Sequence, residues 1–324
     1  MKKLFFTGFL MIMCLAVMAQ QDTQYSQYIF NGLYINPAYA GYKQDFYLHS
    51  FYRSQWTGFP GAPKSFSIAA DGSTNDTKVG LGLLLASDNI GAQSTLACDF
   101  SYAYHIQVGE DENTRLSLGL GLGFEQAGID GNLLTAVQSG DSSVPTGSQS
   151  AVVPDGRAGV MFSTTTFYTG FSADNLIAQQ FQKDKALLVP IPKPHYYLTA
   201  GAIFSTNGDT KLNPSFLLKD DRAGPTSLDL NMFVLLSDRI WVGGTYRTAV
   251  TLYSKPNLQS GLPTTNAMIA MVEFFVTDKL RVGYAFDYST TELGGYNYGT
   301  HEISIGVFLK NGNLTPGNEK CYFR

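Results

Sequence analysis

RLSLGLGLGF, residues 115–124, places an apolar side chain at every second position. Four leucines and a phenylalanine take the even-numbered positions, whereas Arg115, Ser117 and three glycines take the odd-numbered ones. Successive side chains of a β-strand point to opposite faces, so this alternation predicts a strand with one apolar face and one polar or nearly bare face. Glycines in the middle of a strand are expected to make room for a plug or for bulky neighbouring groups.

The same alternation recurs along nearly the whole chain, and no stretch predicts an amphipathic helix of three turns or more. Segments with the length and pattern of membrane-spanning strands number about fourteen. They are residues 45–53, 64–71, 78–87, 94–107, 114–125, 156–164, 166–174, 194–205, 211–219, 226–236, 239–250, 266–276, 279–289 and 300–310.

The connections between these segments fall into two classes that alternate along the chain. Short polar turns such as GSTNDT (72–77) alternate with mostly longer connections such as SDNIGAQ (87–93). Because lipid offers no hydrogen-bond partners, strands that cross it must close into a ring. The sequence therefore predicts an all-β fold, a transmembrane antiparallel β-barrel of about 14 strands with long extracellular loops and short periplasmic turns. The competing interpretation is a periplasmic all-β protein whose apolar faces pack against each other.

The two ends of the chain are predicted to lie outside the barrel. Residues 1–19 have the pattern of a cleavable signal peptide, with Lys2 and Lys3 before an apolar run, so we expect Sec-dependent export to the cell outer membrane. We predict the following further divisions: an N-terminal periplasmic or lumen segment at 20–44, the barrel at 45–310 and a periplasmic tail at 311–324.

Composition limits the classes of function. The chain has 22 basic and 26 acidic residues, a net charge of -4, which excludes the basic surface of a nucleic-acid-binding protein. Its four histidines show no metal-ligand spacing with Cys or with another His, so we predict no catalytic residue, no metal site and no cofactor. A bridge between Cys98 and Cys321 is not favoured, because the pattern places Cys98 on an apolar strand face and Cys321 in a polar tail.

Polar and charged residues of both signs fall on the strand faces opposite the apolar ones. The residues predicted to face the lumen are Asp99, His105, Arg115, Arg157, Asp229, Asn231, Arg247, Glu273, Arg281, Asp287 and Glu302. Such a set can line a water-filled pore or pair across a plugged lumen, and we favour structural pairing.

Two motifs near the start of the chain are candidate binding elements. QYIFNGLYINPAYAG (27–41) is rich in aromatic residues that must bury against the lumen of the barrel or against a partner. Its candidate plug or partner-binding residues are Tyr28, Phe30, Asn31, Asn36, Pro37, Tyr39 and Gly41. The following outer loop has prolines that restrict it and aromatic residues suited to packing or recognition. Its candidate residues are Trp56, Gly58, Phe59, Pro60 and Pro63.

QYIFNGLYINPAYAG followed by FYRSQWTGFPGAPKSFSIAADG (51–72) resembles the opening of the PorP/SprF family of type IX secretion system membrane proteins. VGLGLLLASDNIG (79–91), CDFSYAYHIQV (98–108) and RLSLGLGLGF are similar to the next strands of that family. The resemblance covers the whole mature length. The chain departs from the family at Tyr42, where a small polar residue is common.

The resemblance implies a barrel in outer-membrane lipid that works with other type IX secretion and gliding components. Some members are thought to hold the C-terminal domains of secreted adhesins at the cell surface, and others to link the outer membrane to the periplasmic motor complex. We expect secreted type IX cargo to be bound by outer loops within 126–155, 175–193 and 251–265, with the first as the main receiver. The alternative hypothesis, from a different class, is a porin-like channel for small solutes.

Overall fold

The computed structural model of the protein describes residues 25–74, 76–111, 113–135, 144–145, 147–181, 192–206, 210–222, 224–255, 258 and 265–309, with the main chain alone at 265 and 293. The predicted signal peptide, residues 20–24, the predicted tail and Cys321 lie outside these residues. Parts of all three long outer loops named above also lie outside them.

Fifteen strands in the described part of the chain form one antiparallel sheet. They are β1 (Tyr47–Ser54), β2 (Lys64–Ser73), β3 (Val79–Ile90), β4 (Gln93–Gln107), β5 (Arg115–Asp130), β6 (Ser148–Ser163), β7 (Phe167–Asp174), β8 (His195–Ala202), β9 (Phe204–Ser205), β10 (Thr210–Asp220), β11 (Thr226–Leu236), β12 (Ile240–Val250), β13 (Thr265–Phe275), β14 (Leu280–Ser289) and β15 (Thr300–Phe308).

The sheet is closed into a barrel. The short strand β9 continues β8 after Ile203 and pairs with the same neighbour, β10, so the two count as one strand of a 14-strand ring. Neighbours in the chain pair with each other around the ring, and β15 pairs with β1. Every strand is therefore hydrogen-bonded on both sides, as a backbone in lipid requires. The predicted fold class is confirmed.

Connection length differs between the two ends of the barrel. At the end where β1 begins, the connections are short: 74–78, 108–114, 164–166, 206–209, 237–239 and 276–279. At the opposite end they are mostly longer: 55–63, 91–92, 131–147, 175–194, 221–225, 251–264 and 290–299. Outer-membrane barrels have short periplasmic turns and longer extracellular loops, so the first end is the inner end and the second is the outer end.

Two predicted outer loops were wrong in extent. SDNIGAQ is not a loop, because β3 and β4 continue through it to a tight turn at residues 91–92. The predicted loop 126–155 is shorter at both ends, since β5 runs to Asp130 and β6 starts at Ser148. These outer strand ends lack the apolar alternation of the lipid-facing part, so the sequence pattern ended before the strands did.

The two faces of the barrel wall differ as the alternation predicts. On β5, Leu120 and Leu122 are 65% and 70% exposed on the outside, whereas Ser117 faces inward and is buried. The same outward apolar face is found on the neighbouring strands β3 and β4. The wall therefore presents apolar side chains to lipid and polar side chains to the lumen.

Helical structure in the described residues consists of short 3₁₀ turns: Gln27–Phe30, Gly32–Tyr34, Pro37–Tyr39, Gly131–Leu133, Ala178–Phe181 and Glu292–Gly295. Within the described ranges, no helix has both the length and the apolar character needed to cross a membrane. The first three turns form a segment, residues 25–43, that lies in the lumen and supplies much of its apolar core.

Candidate functional site

The lumen segment 25–43 is shaped by two asparagines. Asn31 precedes one 3₁₀ turn, and its side-chain oxygen accepts a hydrogen bond from the Leu33 N–H at 3.0 Å. Asn36 precedes the next turn and accepts from the Ala38 N–H at 2.9 Å, with Pro37 at the first position of that turn. Both asparagines have extended backbone and cap N–H groups that would otherwise lack partners. The motif therefore folds as a compact series of turns.

The outer end of the segment is held by a buried ionic network. The backbone N–H groups of Ser26 and Gln27 donate to the Glu302 carboxylate at 2.9 and 2.8 Å. Arg53 donates to Glu302 at 3.0 Å and to Asp287 at 2.8 Å. One cation thus joins two carboxylates of other strands, and the segment donates further hydrogen bonds to both of them. Buried charges are tolerated when they are paired and hydrogen-bonded in this way.

The middle of the segment lies directly against the wall at two glycines. A side chain at Gly119 would overlap the backbone of Ala38, and one at Gly159 would overlap the side chain of Asn36. The Asn36 amide also donates to the Val160 carbonyl at 3.1 Å. The prediction that glycines in the middle of β5 make room for a plug is confirmed at Gly119.

Aromatic rings fill the space between the segment and the wall. Tyr25 and Tyr34 pack on Phe51 of β1, and the centres of their rings lie 4.2 and 4.6 Å, respectively, from the centre of the Phe51 ring. The Tyr28 hydroxyl accepts a hydrogen bond from the Asn231 amide at 3.1 Å. Burial raises the pKa of Tyr28 well above its usual value, so this hydroxyl stays neutral. The aromatic residues therefore pack against the barrel's own wall.

The inner end of the segment is fixed where the chain turns into β1. Gly41 has a φ of +73°, and a Cβ there would lie 2.6 Å from the Cα of Gly80, so only glycine fits. The Gly41 N–H donates to Asp71 at 3.0 Å. His105 Nε2 lies 3.0 Å from the Ala40 carbonyl oxygen. Polar wall residues thus set the point at which the segment joins the barrel.

The predicted site residues fall in two separate places. All seven candidates of the N-terminal motif are buried in the lumen: Tyr28, Phe30, Asn31, Asn36, Pro37, Tyr39 and Gly41. The five candidates of the first outer loop lie at the outer rim, where Gly58, Phe59 and Pro60 are exposed, Trp56 is half-buried and Pro63 is buried. Their role in binding a partner stays a prediction.

The first outer loop is joined to the loop between β14 and β15. The Thr57 N–H donates to the Gly299 carbonyl, and the Tyr298 N–H donates to the Thr57 carbonyl, both at 2.8 Å. The Tyr298 ring lies against Gly58, where a Cβ would come within 2.6 Å of it. The loop is therefore built into the rim of the barrel by backbone hydrogen bonds.

The predicted lumen charges are largely paired inside the barrel. Arg157 lies 3.0 Å from Asp174, and Arg247 lies 2.7 Å from Asp229 on the adjacent strand. The pairing of Arg53 with Asp287 and Glu302 adds a third example. These contacts confirm the structural-pairing interpretation of the lumen charges.

A cavity of about 140 Å³ lies on the outer side of the lumen segment. Its floor includes Tyr25, Tyr28 and Tyr34 of the segment, and its wall comes from the outer halves of the strands. The charged side chains that line it are Asp88, Asp99, Glu125, Asp155, Arg157, Asp174, Lys219, Asp229 and Arg247. Carboxylates therefore outnumber cations around the cavity. Across the described residues, no three His, Cys, Asp or Glu side chains are placed to hold a metal ion.

Sequence reasoning missed part of this cavity. Asp99, Arg157, Asp229 and Arg247 are among the predicted lumen residues, whereas Asp155 was placed in the long loop 126–155. Asp155 is two positions before Arg157 on β6, so the alternation that assigns Arg157 to the lumen would also have assigned Asp155. The same signal would have located Asp174, the last residue of β7, because it follows the buried Tyr168 and Ser172 at two-residue steps while Phe167 and Phe171 face outward.

Comparison with known proteins decides the family. Residues 17–307 match the model of the family described as type IX secretion system membrane protein PorP/SprF. The chain belongs to the PorP/SprF family. No curated protein matches it. Membership makes this PorP/SprF protein a membrane component of the type IX secretion system and implies interaction with other components of that system.

Solved structures similar to this PorP/SprF protein include several barrels. Omp33, an outer membrane protein of Acinetobacter baumannii, is 7% identical with a TM-score of 0.47, covering 82% of this chain and 98% of that one. A deletion mutant of TodX, a monoaromatic hydrocarbon channel, is 10% identical with a TM-score of 0.47, covering 85% and 92%. A mutant of the Rh. blastica porin is 9% identical with a TM-score of 0.35, covering 81% and 98%.

Proposed function

We propose that this PorP/SprF protein is a non-enzymatic anchor in the outer membrane. It binds the C-terminal domain of an exported adhesin-type protein and retains that protein at the cell surface. The observation that carries the proposal is the lumen segment 25–43, buried inside the barrel with a cavity left on its outer side. A barrel built in this way suits a receptor for a partner that arrives from outside.

The position of the segment argues against the porin-like alternative. It is attached to the wall at its outer end by Glu302, in its middle by Val160 and at its inner end by Asp71. At Gly119 and Gly159 the segment lies so close to the wall that no larger residue would fit. Moving the segment aside would break buried ion pairs and hydrogen bonds, which opposes an open aqueous path.

The outer position of the cavity favours cargo retention over linkage to the periplasmic motor. The cavity is lined by residues such as Asp88, Asp174 and Lys219, which stand near the outer ends of their strands. The exposed Phe59 of the first outer loop and the exposed Tyr298 beside it supply rigid aromatic surface at the same end. We propose that these rim residues and the long loops contact the exported protein around the cavity.

Copurification tests this function. A C-terminal affinity tag on the full chain would be used to extract the protein from native membranes in mild detergent, and the bound proteins would be identified by mass spectrometry. We expect an exported surface protein to be recovered. Deleting residues 136–143, between β5 and β6, should reduce its recovery at least about tenfold, the equivalent of about 1.4 kcal/mol of binding free energy.

A matched control replaces residues 136–143 by glycine and serine without changing the length. If loop sequence matters, the replacement and the deletion lose cargo alike; if only reach matters, the replacement retains it. Migration on a gel before and after boiling checks that each variant still forms a barrel. Recovery of periplasmic motor components without any exported protein would reject the anchor role in favour of linkage.

A further inference from the structure

Asp155 has an unusual environment for a buried carboxylate. It is only 6% exposed and lines the cavity on the outer side of the lumen segment. Among the described residues, its Oδ1 atom has no hydrogen-bond partner. A buried acceptor without a partner destabilises a protein, and more so when it is charged, so such a group in a cavity indicates a missing partner.

The neighbouring cation does not serve as that partner. Arg157, two residues further along β6, donates from Nη2 to the carbonyl oxygens of Leu33 and Tyr34 at 3.3 and 3.2 Å. The same nitrogen lies 3.0 Å from Asp174. Nη2 of Arg157 is therefore occupied by the lumen segment and by another carboxylate, and among the described residues its Nε and Nη1 atoms donate to no group, Asp155 included.

The wall next to Asp155 concentrates negative charge. Asp99 on β4 and Asp155 on β6 both lie opposite Gly123 of β5 in the strand register. A side chain at Gly123 would overlap the Asp99 carboxylate and the Cys98 carbonyl, so the glycine gives room to the Asp99 side chain beside β6. Six carboxylates and three cations line the whole cavity, and two of the cations are already paired to Asp174 and Asp229. Opposite charge within a few ångströms is the favoured complement for such a site.

We propose that this cavity receives the end of one lysine or arginine side chain of the exported polypeptide, with Asp155 as its ion-pair partner and Asp99 alongside. The inference rests on the proposed function, which supplies the polypeptide. A cavity of about 140 Å³ suits a group of that size, since an apolar protein cavity of about 150 Å³ holds a benzene molecule. A folded domain would remain outside, at the rim and loops.

The cation preference of the cavity can be measured without any cargo. Ala97 also lines the cavity, so Ala97→Cys in a background of Cys14→Ala, Cys98→Ala and Cys321→Ala places one reactive thiol there. Its modification rates by a trimethylammonium-ethyl and a sulfonatoethyl methanethiosulfonate are compared in the purified full chain. We expect the cationic reagent to react faster, and Asp155→Asn to lower the ratio of the two rates at least about tenfold, or about 1.4 kcal/mol.

Matched variants separate the local charge from the net charge and from folding. Asp278→Asn removes the same charge at an exposed inner turn and should leave the ratio unchanged. Asp155→Glu retains the charge and should retain the preference. A rate ratio that is the same in wild type, Asp155→Asn and Asp155→Glu would overturn the inference.

Copurification with the tagged chain then connects the cavity to cargo. Wild type and Asp278→Asn should recover the exported protein, whereas Asp155→Asn should lose it at least about tenfold. Full recovery with Asp155→Asn would overturn the lysine or arginine site while leaving the anchor function intact. Recovery of no exported protein by wild type would reject the anchor function itself, and with it the identity of the ligand.

Discussion

The inner and outer halves of the lumen are filled in different ways along the same strand. At Gly119 the wall of β5 is covered by the backbone of Ala38, with no space for a side chain. Four residues further out, Gly123 gives room to the carboxylate of Asp99, which lines a cavity together with Asp155. The comparison teaches that glycine has two different uses in this wall: in the inner half it admits the backbone of a plug, and in the outer half it admits an acidic side chain that lines the cavity.

The largest expected effect on stability comes from breaking the ionic network at the outer end of the lumen segment. Arg53→Met removes the cation that pairs with Asp287 and Glu302 at the outer end of the segment. Because two buried carboxylates lose their partner, we expect the free energy of unfolding to fall by about 3–5 kcal/mol, measured by urea titration of the protein in lipid vesicles. The matched variant Arg239→Met changes an exposed arginine of an inner turn and should stay within about 0.5 kcal/mol of wild type.

Retention of wild-type stability by Arg53→Met would mean that the network does not hold the segment. Hydrogen exchange would sharpen the outcome, because loss of this anchor should speed exchange at Ser26 and Gln27, whose N–H groups donate to Glu302. Exchange at Ala38, at the steric contact with Gly119, should change less.

A smaller effect on stability is expected from disrupting the steric contact between Ala38 of the lumen segment and Gly119 of β5. Gly119→Val would force the backbone of Ala38 away from β5. Insertion of extra methyl groups into a packed interior typically destabilises by about 1–3 kcal/mol, and we expect the upper part of that range because backbone must move. The same urea titration measures it. Leu120→Val, on the lipid face of the adjacent position, serves as the control, and equal effects of the two variants would contradict a plug fitted to this glycine.

Much of the wall could be predicted from the sequence, for a physical reason. Each strand exposes one face to lipid and one to the lumen, so the alternation in RLSLGLGLGF shows which of its side chains face lipid and which face the lumen. The lumen position of Asp229 and Arg247 followed from the same alternation. The outer ends of β5 and β6 could not be predicted, because strands that extend beyond the lipid need no apolar face.

The partners of the lumen charges could not be read from the chain. Arg53 meets Asp287 and Glu302, which are more than two hundred residues away, because closure of the ring brings β1 beside β15. Among the described residues, Asp155 Oδ1 has no hydrogen-bond partner, because Nη2 of the nearby Arg157 donates instead to carbonyls of the lumen segment. The cavity at Asp155 is therefore a property of the closed barrel and its plug together.

Ion conductance tests the central claim, a lumen closed by its own N-terminal segment, most directly. The purified full chain would be reconstituted in a planar lipid bilayer, with an open trimeric or monomeric porin as the positive control in the same membrane. The segment 25–43, held at both ends and interlocked with the wall, predicts no stepwise rise in current on insertion of the wild-type barrel. Stepwise, ohmic conductance of porin size by the wild-type protein would contradict it.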